Sequence, residues 1–77
     1  MDKKITFEIK EQIGVITELT PQWKKELNLV SWNGNPAKYD IRDWDGEHTR
    51  MARGITLTEE EMRKVYAMLK ERFENEN

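Results

Sequence analysis

A strand with two unlike faces is predicted by Lys38-Tyr39-Asp40-Ile41-Arg42-Asp43-Trp44. Successive side chains of a strand point to opposite sides of a sheet, so Tyr39 and Ile41 share one side while Arg42 and Trp44 share the other. The apolar pair indicates the side that faces the core. A cation and a large aromatic on the opposite side suit a surface that stacks bases and neutralises phosphates.

Three further strands and one helix are predicted around this segment. The strands span about residues 4–19, 23–32, 37–44 and 49–57, and the helix spans about residues 59–73. Asn33-Gly34 and Asp45-Gly46 supply turn residues between strands, and Gly54 indicates a bulge in the last strand. We therefore predict one α+β domain that covers all 77 residues. Its architecture is a four-stranded antiparallel meander sheet followed by a C-terminal helix.

Apolar residues of the predicted first strand fall on odd positions at Ile5, Phe7, Ile9, Ile13, Val15 and, less strictly, Leu19, which is typical of a half-buried strand. Ile16 breaks this pattern, and Gly14 allows a bend or bulge there. Thr58 and Glu61 match a capping box at the helix start. The helix carries one apolar stripe, made by Met62, Val65, Tyr66, Leu69 and Phe73. We expect this stripe to cover one face of the sheet, and part of it to meet a second copy of the chain.

The other face of the sheet is expected to stay open. If the core face holds Leu27, Leu29, Tyr39 and Ile41, strand alternation places six polar or aromatic residues together on the opposite side. These are Lys24, Asn28, Trp32, Lys38, Arg42 and Trp44. Unpaired bases stack on tryptophan whatever their sequence, so single strands are favoured over an intact duplex.

Two other interpretations of this face remain open. Trp32 and Trp44 could be packing residues, either within the sheet or in a homodimer interface, and Arg42 could be an exposed ion-pair partner of little consequence. The same face could instead dock a polypeptide, because tryptophan and arginine are favoured interface anchors.

The composition limits the remaining possibilities. The chain has no cysteine, and its net charge is −2, with +1 between Trp23 and Leu57 and −3 in the flanks. No membrane span or signal peptide is predicted, so a cytoplasmic location is the default expectation. No catalytic set, cofactor motif or small-molecule site is found, and we predict a protein that is not an enzyme and needs no cofactor. His48, beside Asp45 and Glu47, is interpreted as part of a solvated loop and not as a metal site.

The order of the motifs resembles the positive cofactor 4 family, whose members are single-stranded-DNA-binding transcriptional coactivators. The similarity is carried by Asp40-Ile41-Arg42-Asp43-Trp44, by Arg53-Gly54-Ile55-Thr56-Leu57 and by the Glu-rich helix start after Thr58. Upstream, Trp23-Lys24-Lys25-Glu26-Leu27-Asn28 and Val30-Ser31-Trp32-Asn33 are similar to the bacterial YdbC-like branch of that family.

The resemblance implies a homodimer formed through the helix and a sheet edge, which binds single-stranded DNA with little sequence preference. RNA is the alternative ligand, since stacking does not read the sugar. By position, the resemblance assigns nucleic-acid contacts to Trp32, Arg42, Trp44 and Arg53, and less directly to Lys24, Lys38 and Arg50. It also implies a role in transcription regulation or DNA maintenance, with no membrane partner.

Overall fold

The computed structural model describes residues 5–75 and has four strands and one helix in consecutive order. The elements are β1 (Phe7–Thr20), β2 (Trp23–Trp32), β3 (Lys38–Asp45), β4 (Ile55–Leu57) and α1 (Glu59–Glu74). All neighbouring strands pair antiparallel, in the order β1-β2-β3-β4. The predicted α+β fold, an open antiparallel sheet followed by a C-terminal helix, is confirmed. The predicted first strand begins at residue 4, which lies outside the described residues.

Strand β1 is bulged repeatedly, so the expected alternation fails beyond Ile9, while the irregularity expected at Gly14 and Ile16 is confirmed. Its 14 residues pair with the 10 residues of β2 through four register shifts, between Ile9 and Glu11, Gln12 and Gly14, Val15 and Thr17, and Glu18 and Thr20. Each bulge places two residues opposite one and increases the local twist. The repeat along β1 is therefore three residues and not two.

These bulges accompany a strongly curved sheet. Trp44 pairs with Lys24, which lies eight positions before Trp32 on β2, or about 26 Å along a flat strand. The indole rings of Trp32 and Trp44 are nonetheless stacked with their centroids 6.5 Å apart. The sheet face that carries both tryptophans is therefore the concave face.

The concave face, and not the opposite face, holds the most enclosed residues. Val30 and Trp44 are fully buried there, whereas Leu27, Leu29, Tyr39 and Ile41 are only half-buried on the convex face. The expectation that the Trp44 side of the sheet lies open is therefore wrong. Curvature brings side chains of the concave face together, so they bury one another without a covering helix.

The connection from β3 to β4 explains why the fourth strand is short. Met51 forms an isolated bridge with Trp44, and regular pairing resumes only where Ile55 meets Ile41. Between them Gly54 passes so close to β3 that a Cβ atom on it would overlap both Cβ of Arg42 and the carbonyl oxygen of Ile41. The predicted strand over 49–57 is thus interrupted, because the chain must cross Arg42 at a residue without a side chain.

Helix α1 begins as predicted but does not cover the sheet of its own protomer. The Thr58 side chain accepts a hydrogen bond from the Glu61 backbone N–H at 3.1 Å, and the Glu61 carboxylate accepts one from the Thr58 N–H at 2.8 Å. Among the described elements, α1 approaches only β3 and β4, and none of its residues Glu59–Glu74 is buried. The radius of gyration is 14.4 Å, against about 11.5 Å for a compact domain of this length. The expected packing of the stripe on its own sheet is therefore wrong.

Candidate nucleic-acid interface

Four aromatic rings fill the concave face. Phe7 lies 5.2 Å from Trp44 and 5.7 Å from Trp32, measured between ring centroids, and the His48 ring lies 5.7 Å from Trp44. Trp44 is consequently 0% exposed, while Trp32 remains half-buried. Trp44 therefore belongs to the packing of the protomer, and in this arrangement its ring has no free face for a base.

Buried polar residues lie beside this aromatic cluster. His48 Nε2 is 2.9 and 3.1 Å from the two carboxylate oxygens of Glu26, and the Asn28 amide donates to Glu26 Oε1 at 3.0 Å. Glu26 and Asn28 are 5% and 1% exposed. The interpretation of His48 as part of a solvated loop is wrong, because its ring holds the β3–β4 connection against β2. Asn28 likewise cannot lie on an open surface, since it is enclosed beneath this contact.

Arg42 is held by a second buried carboxylate. Its Nε donates to Asp40 Oδ1 at 2.7 Å, and Asp40 is fully buried. The guanidinium carbon stands 4.7 Å from the centroid of the Trp32 ring, in a cation–π contact. Arg42 is thus a part-buried, oriented group, and its side chain is 14% exposed.

A cavity of about 410 Å³ opens beside Arg42, near the β2–β3 turn. It is lined by Ile5, Trp32, Asn33, Asn35, Pro36, Lys38, Arg42, Met51 and Thr56. Lys38 is exposed at this cavity and forms no ion pair with any residue in the range 5–75. The structure therefore brings together three of the residues predicted from sequence, namely Trp32, Lys38 and Arg42.

The other predicted contacts lie elsewhere. Lys24 is half-buried at the far end of β2, where it pairs with Trp44. Arg50 is exposed beside a separate cavity of about 390 Å³, which Trp23 and Glu47 also line. Arg53 is exposed and lines neither cavity. These three cations do not converge on the site that holds Lys38.

The β3–β4 loop that carries His48 is organised by Asp45. Its carboxylate accepts hydrogen bonds from the Arg50 and Thr49 backbone N–H groups, at 2.9 and 2.8 Å. The Arg50 N–H makes the largest contribution in holding the Asp45 pKa below its usual value of 3.8. Because the folded-state pKa is lowered, the stabilisation is complete above that usual value and is lost only as the pH falls through the lower one. The ionised Asp45 carboxylate therefore makes its full contribution to the loop at neutral pH.

Several residues at this site were not found from the sequence. Phe7, Asn35 and Met51 contribute to the aromatic cluster or the cavity. The contact between His48 and Glu26, which lie 22 positions apart in the sequence, was also missed. The Asn33-Gly34 pair did predict the turn, since both residues have positive φ, 52° at Asn33 and 77° at Gly34. No local pattern in the sequence relates His48 to Glu26, because their contact depends on the curvature of the sheet.

Within residues 5–75, no group of three His, Cys, Asp or Glu side chains is arranged to hold a metal ion. The described helix is neither long nor apolar enough to cross a membrane.

A curved antiparallel sheet followed by a C-terminal helix, with tryptophan, arginine and lysine around a cavity, defines a small α+β domain. Residues 19–68, well over half of the chain, match the family described as Transcriptional Coactivator p15 (PC4). The chain belongs to this family, which confirms the resemblance seen in its motifs. It is also 39% identical over 56 residues to an uncharacterized protein of Treponema pallidum (strain Nichols). That match covers 73% of this chain and 66% of the relative, or just under two thirds of the relative's length.

Proposed function

We propose that this protein binds unpaired nucleic-acid strands, single-stranded DNA first among them, and acts in transcription regulation or DNA maintenance. The observation that carries the proposal is the cavity of about 410 Å³ lined by Trp32, Lys38 and Arg42. Lys38 supplies an exposed charge for phosphate, and the ordered aromatic and guanidinium groups supply flat surfaces for bases. Membership of the coactivator family favours this reading over docking of a polypeptide at the same face.

In this proposal, lysine and arginine side chains other than Arg42 make the phosphate contacts. The carboxylates of the concave face do not oppose phosphate strongly, because Asp40 is paired with Arg42 and Glu26 contacts His48. Lys38, which forms no ion pair with any described residue, is the strongest candidate for a phosphate partner. Lys24, Arg50 and Arg53 become secondary contacts that a longer strand would reach.

Lys38→Gln tests the phosphate contact. We expect three- to tenfold weaker binding of oligo-dT at low salt, and a slope of log affinity against log salt that is smaller by about 0.7, the value for one phosphate contact on a single strand. Fluorescence titrations at several salt concentrations measure both quantities. Lys64→Gln, an exposed lysine of α1, is the matched control and should leave the slope unchanged. An unchanged slope for Lys38→Gln would remove Lys38 from the site.

The proposal also takes the protein to be a homodimer that associates through α1 and the β4 edge. Large apolar side chains on these elements are exposed in the protomer, namely Ile55 (53%), Tyr66 (62%), Met68 (67%), Leu69 (44%) and Phe73 (61%). Among the described residues, Val30 and Trp44 are the only apolar side chains that are fully buried. A protomer with so small a core gains stability when a second copy covers these surfaces.

Leu69→Glu tests this dimer. A carboxylate buried at an apolar interface should weaken association by about 100-fold or more, because no partner replaces its hydration. Light scattering after size-exclusion chromatography should give twice 9.2 kDa for the parent and 9.2 kDa for the variant. Lys64→Glu, which changes charge on the polar side of α1, should stay dimeric. A monomeric parent at micromolar concentration would contradict the dimer.

A further inference from the structure

The Arg42 guanidinium is held in a fixed plane. Its Nε donates to Asp40, and its Nη1 donates to the Ala52 carbonyl oxygen at 3.4 Å and to Met51 Sδ at 3.8 Å. The guanidinium carbon lies over the Trp32 ring, 4.7 Å from the ring centroid. Two of its three nitrogens are therefore already bound by the protein, and the group also contacts the Trp32 ring.

The part of the Arg42 guanidinium that is not bound by the protein opens into the cavity beside Lys38. Arg42 lines that cavity, and its side chain is 14% exposed. Its positive charge is balanced at 2.7 Å by the fully buried Asp40 carboxylate, so a phosphate would have to compete with an existing ion pair. The free part of Arg42 is thus better suited to stacking than to phosphate pairing.

We propose that the guanidinium plane of Arg42 is the platform on which one unpaired nucleobase stacks inside the cavity of about 410 Å³. This inference rests on the proposed function and assigns the stacking surface to Arg42. Guanidinium planes stack on bases much as aromatic rings do. The base would lie against the guanidinium that contacts the Trp32 ring, with Lys38 lining the same cavity for the adjacent phosphate. Trp32 acts as a positioning residue, because its ring orients the guanidinium.

Arg42→Lys separates stacking from charge. Lysine keeps a positive charge opposite Asp40 but has no plane on which a base can stack. Two oligonucleotides of equal length serve as probes: oligo-dT, and a strand of abasic tetrahydrofuran residues that has the same phosphates and no bases. We expect R42K to bind oligo-dT about 5- to 150-fold more weakly, the range for one stacked base. Its affinity for the abasic strand and its salt slope should match those of the parent.

The outcomes distinguish this inference from the proposed function. Equal binding of oligo-dT by R42K and the parent overturns the platform, and so does an equal loss for both strands together with a smaller salt slope. In either case the protein still binds single strands and the proposed function stands. If the parent binds neither strand, the proposed function and the inference both fail.

A measurement on the parent protein covers the case in which R42K does not fold. The Nε–H proton of Arg42 should move upfield in the NMR spectrum when oligo-dT binds, because a base ring above the guanidinium shields it. The abasic strand should leave that proton in place. An Arg42 signal that moves equally with both strands would overturn the platform.

Discussion

Trp44→Ala should cost about 3–5 kcal/mol of unfolding free energy, the range for removing a buried tryptophan. The side chain is 0% exposed and contacts the rings of Phe7, Trp32 and His48. A domain of this length has roughly 4–12 kcal/mol in total, so the substitution removes much or all of the stability. Urea unfolding followed by circular dichroism, at one protomer concentration for all variants, measures the loss.

Trp23→Ala is the matched control for this prediction. Trp23 is half-buried and is paired with Asp45 at the opposite end of β2 from Trp32. Its removal should cost less than half as much. If Trp44→Ala unfolds at the same urea concentration as the parent, Trp44 is not a packing residue and the concave cluster is wrong.

Gly54→Ala should be the second most damaging change. The added methyl group would overlap Cβ of Arg42 and the Ile41 carbonyl oxygen, neither of which is the flexible end of a side chain. Relief requires backbone movement, and overpacking of this kind costs typically 1–3 kcal/mol or more. Because the movement separates β4 from β3 and displaces Arg42, we expect oligo-dT binding to fall together with stability. Chemical denaturation and titration of the same sample test both effects.

Gly46→Ala controls for the loss of a glycine. A Cβ atom at position 46 meets nothing within 4 Å, and this glycine does not have positive φ. Its effect should stay within about 0.5 kcal/mol, as for ordinary surface substitutions. Equal stability of Gly54→Ala and Gly46→Ala would show that the chain does not cross Arg42 at Gly54.

Features set by neighbouring residues could be predicted from the sequence. The Thr58–Glu61 capping box and the Asn33-Gly34 turn are local, and both form as predicted. Alternation also holds along β2 and β3, which pair without a register shift. The grouping of Trp32, Lys38 and Arg42 follows from that regular pairing.

The curvature of the sheet could not be predicted, because it depends on how β1 pairs with β2. Gly14 and Ile16 indicate an irregularity in the middle of β1, but four bulges cannot be predicted from a pattern that looks alternating from Phe7 to Ile9 and again from Ile13 to Val15. Curvature in turn decided which face is enclosed, and so it moved Trp44 and Asn28 from the expected surface into the interior. The curvature also brings His48 into contact with Glu26, and no spacing in the sequence predicts this contact.

The most direct test of the central claim is a tryptophan-fluorescence titration with oligo-dT and with duplex DNA of the same length. Trp32 lines the cavity and touches Arg42, so a strand bound there should change the emission. We expect saturable binding of the single strand with an affinity at least tenfold higher than that for the duplex, weakened by salt in both cases. A parallel titration with oligo-U shows whether the sugar matters. Equal affinity for single strand and duplex, or no response to either, would contradict binding of an unpaired strand at the concave face.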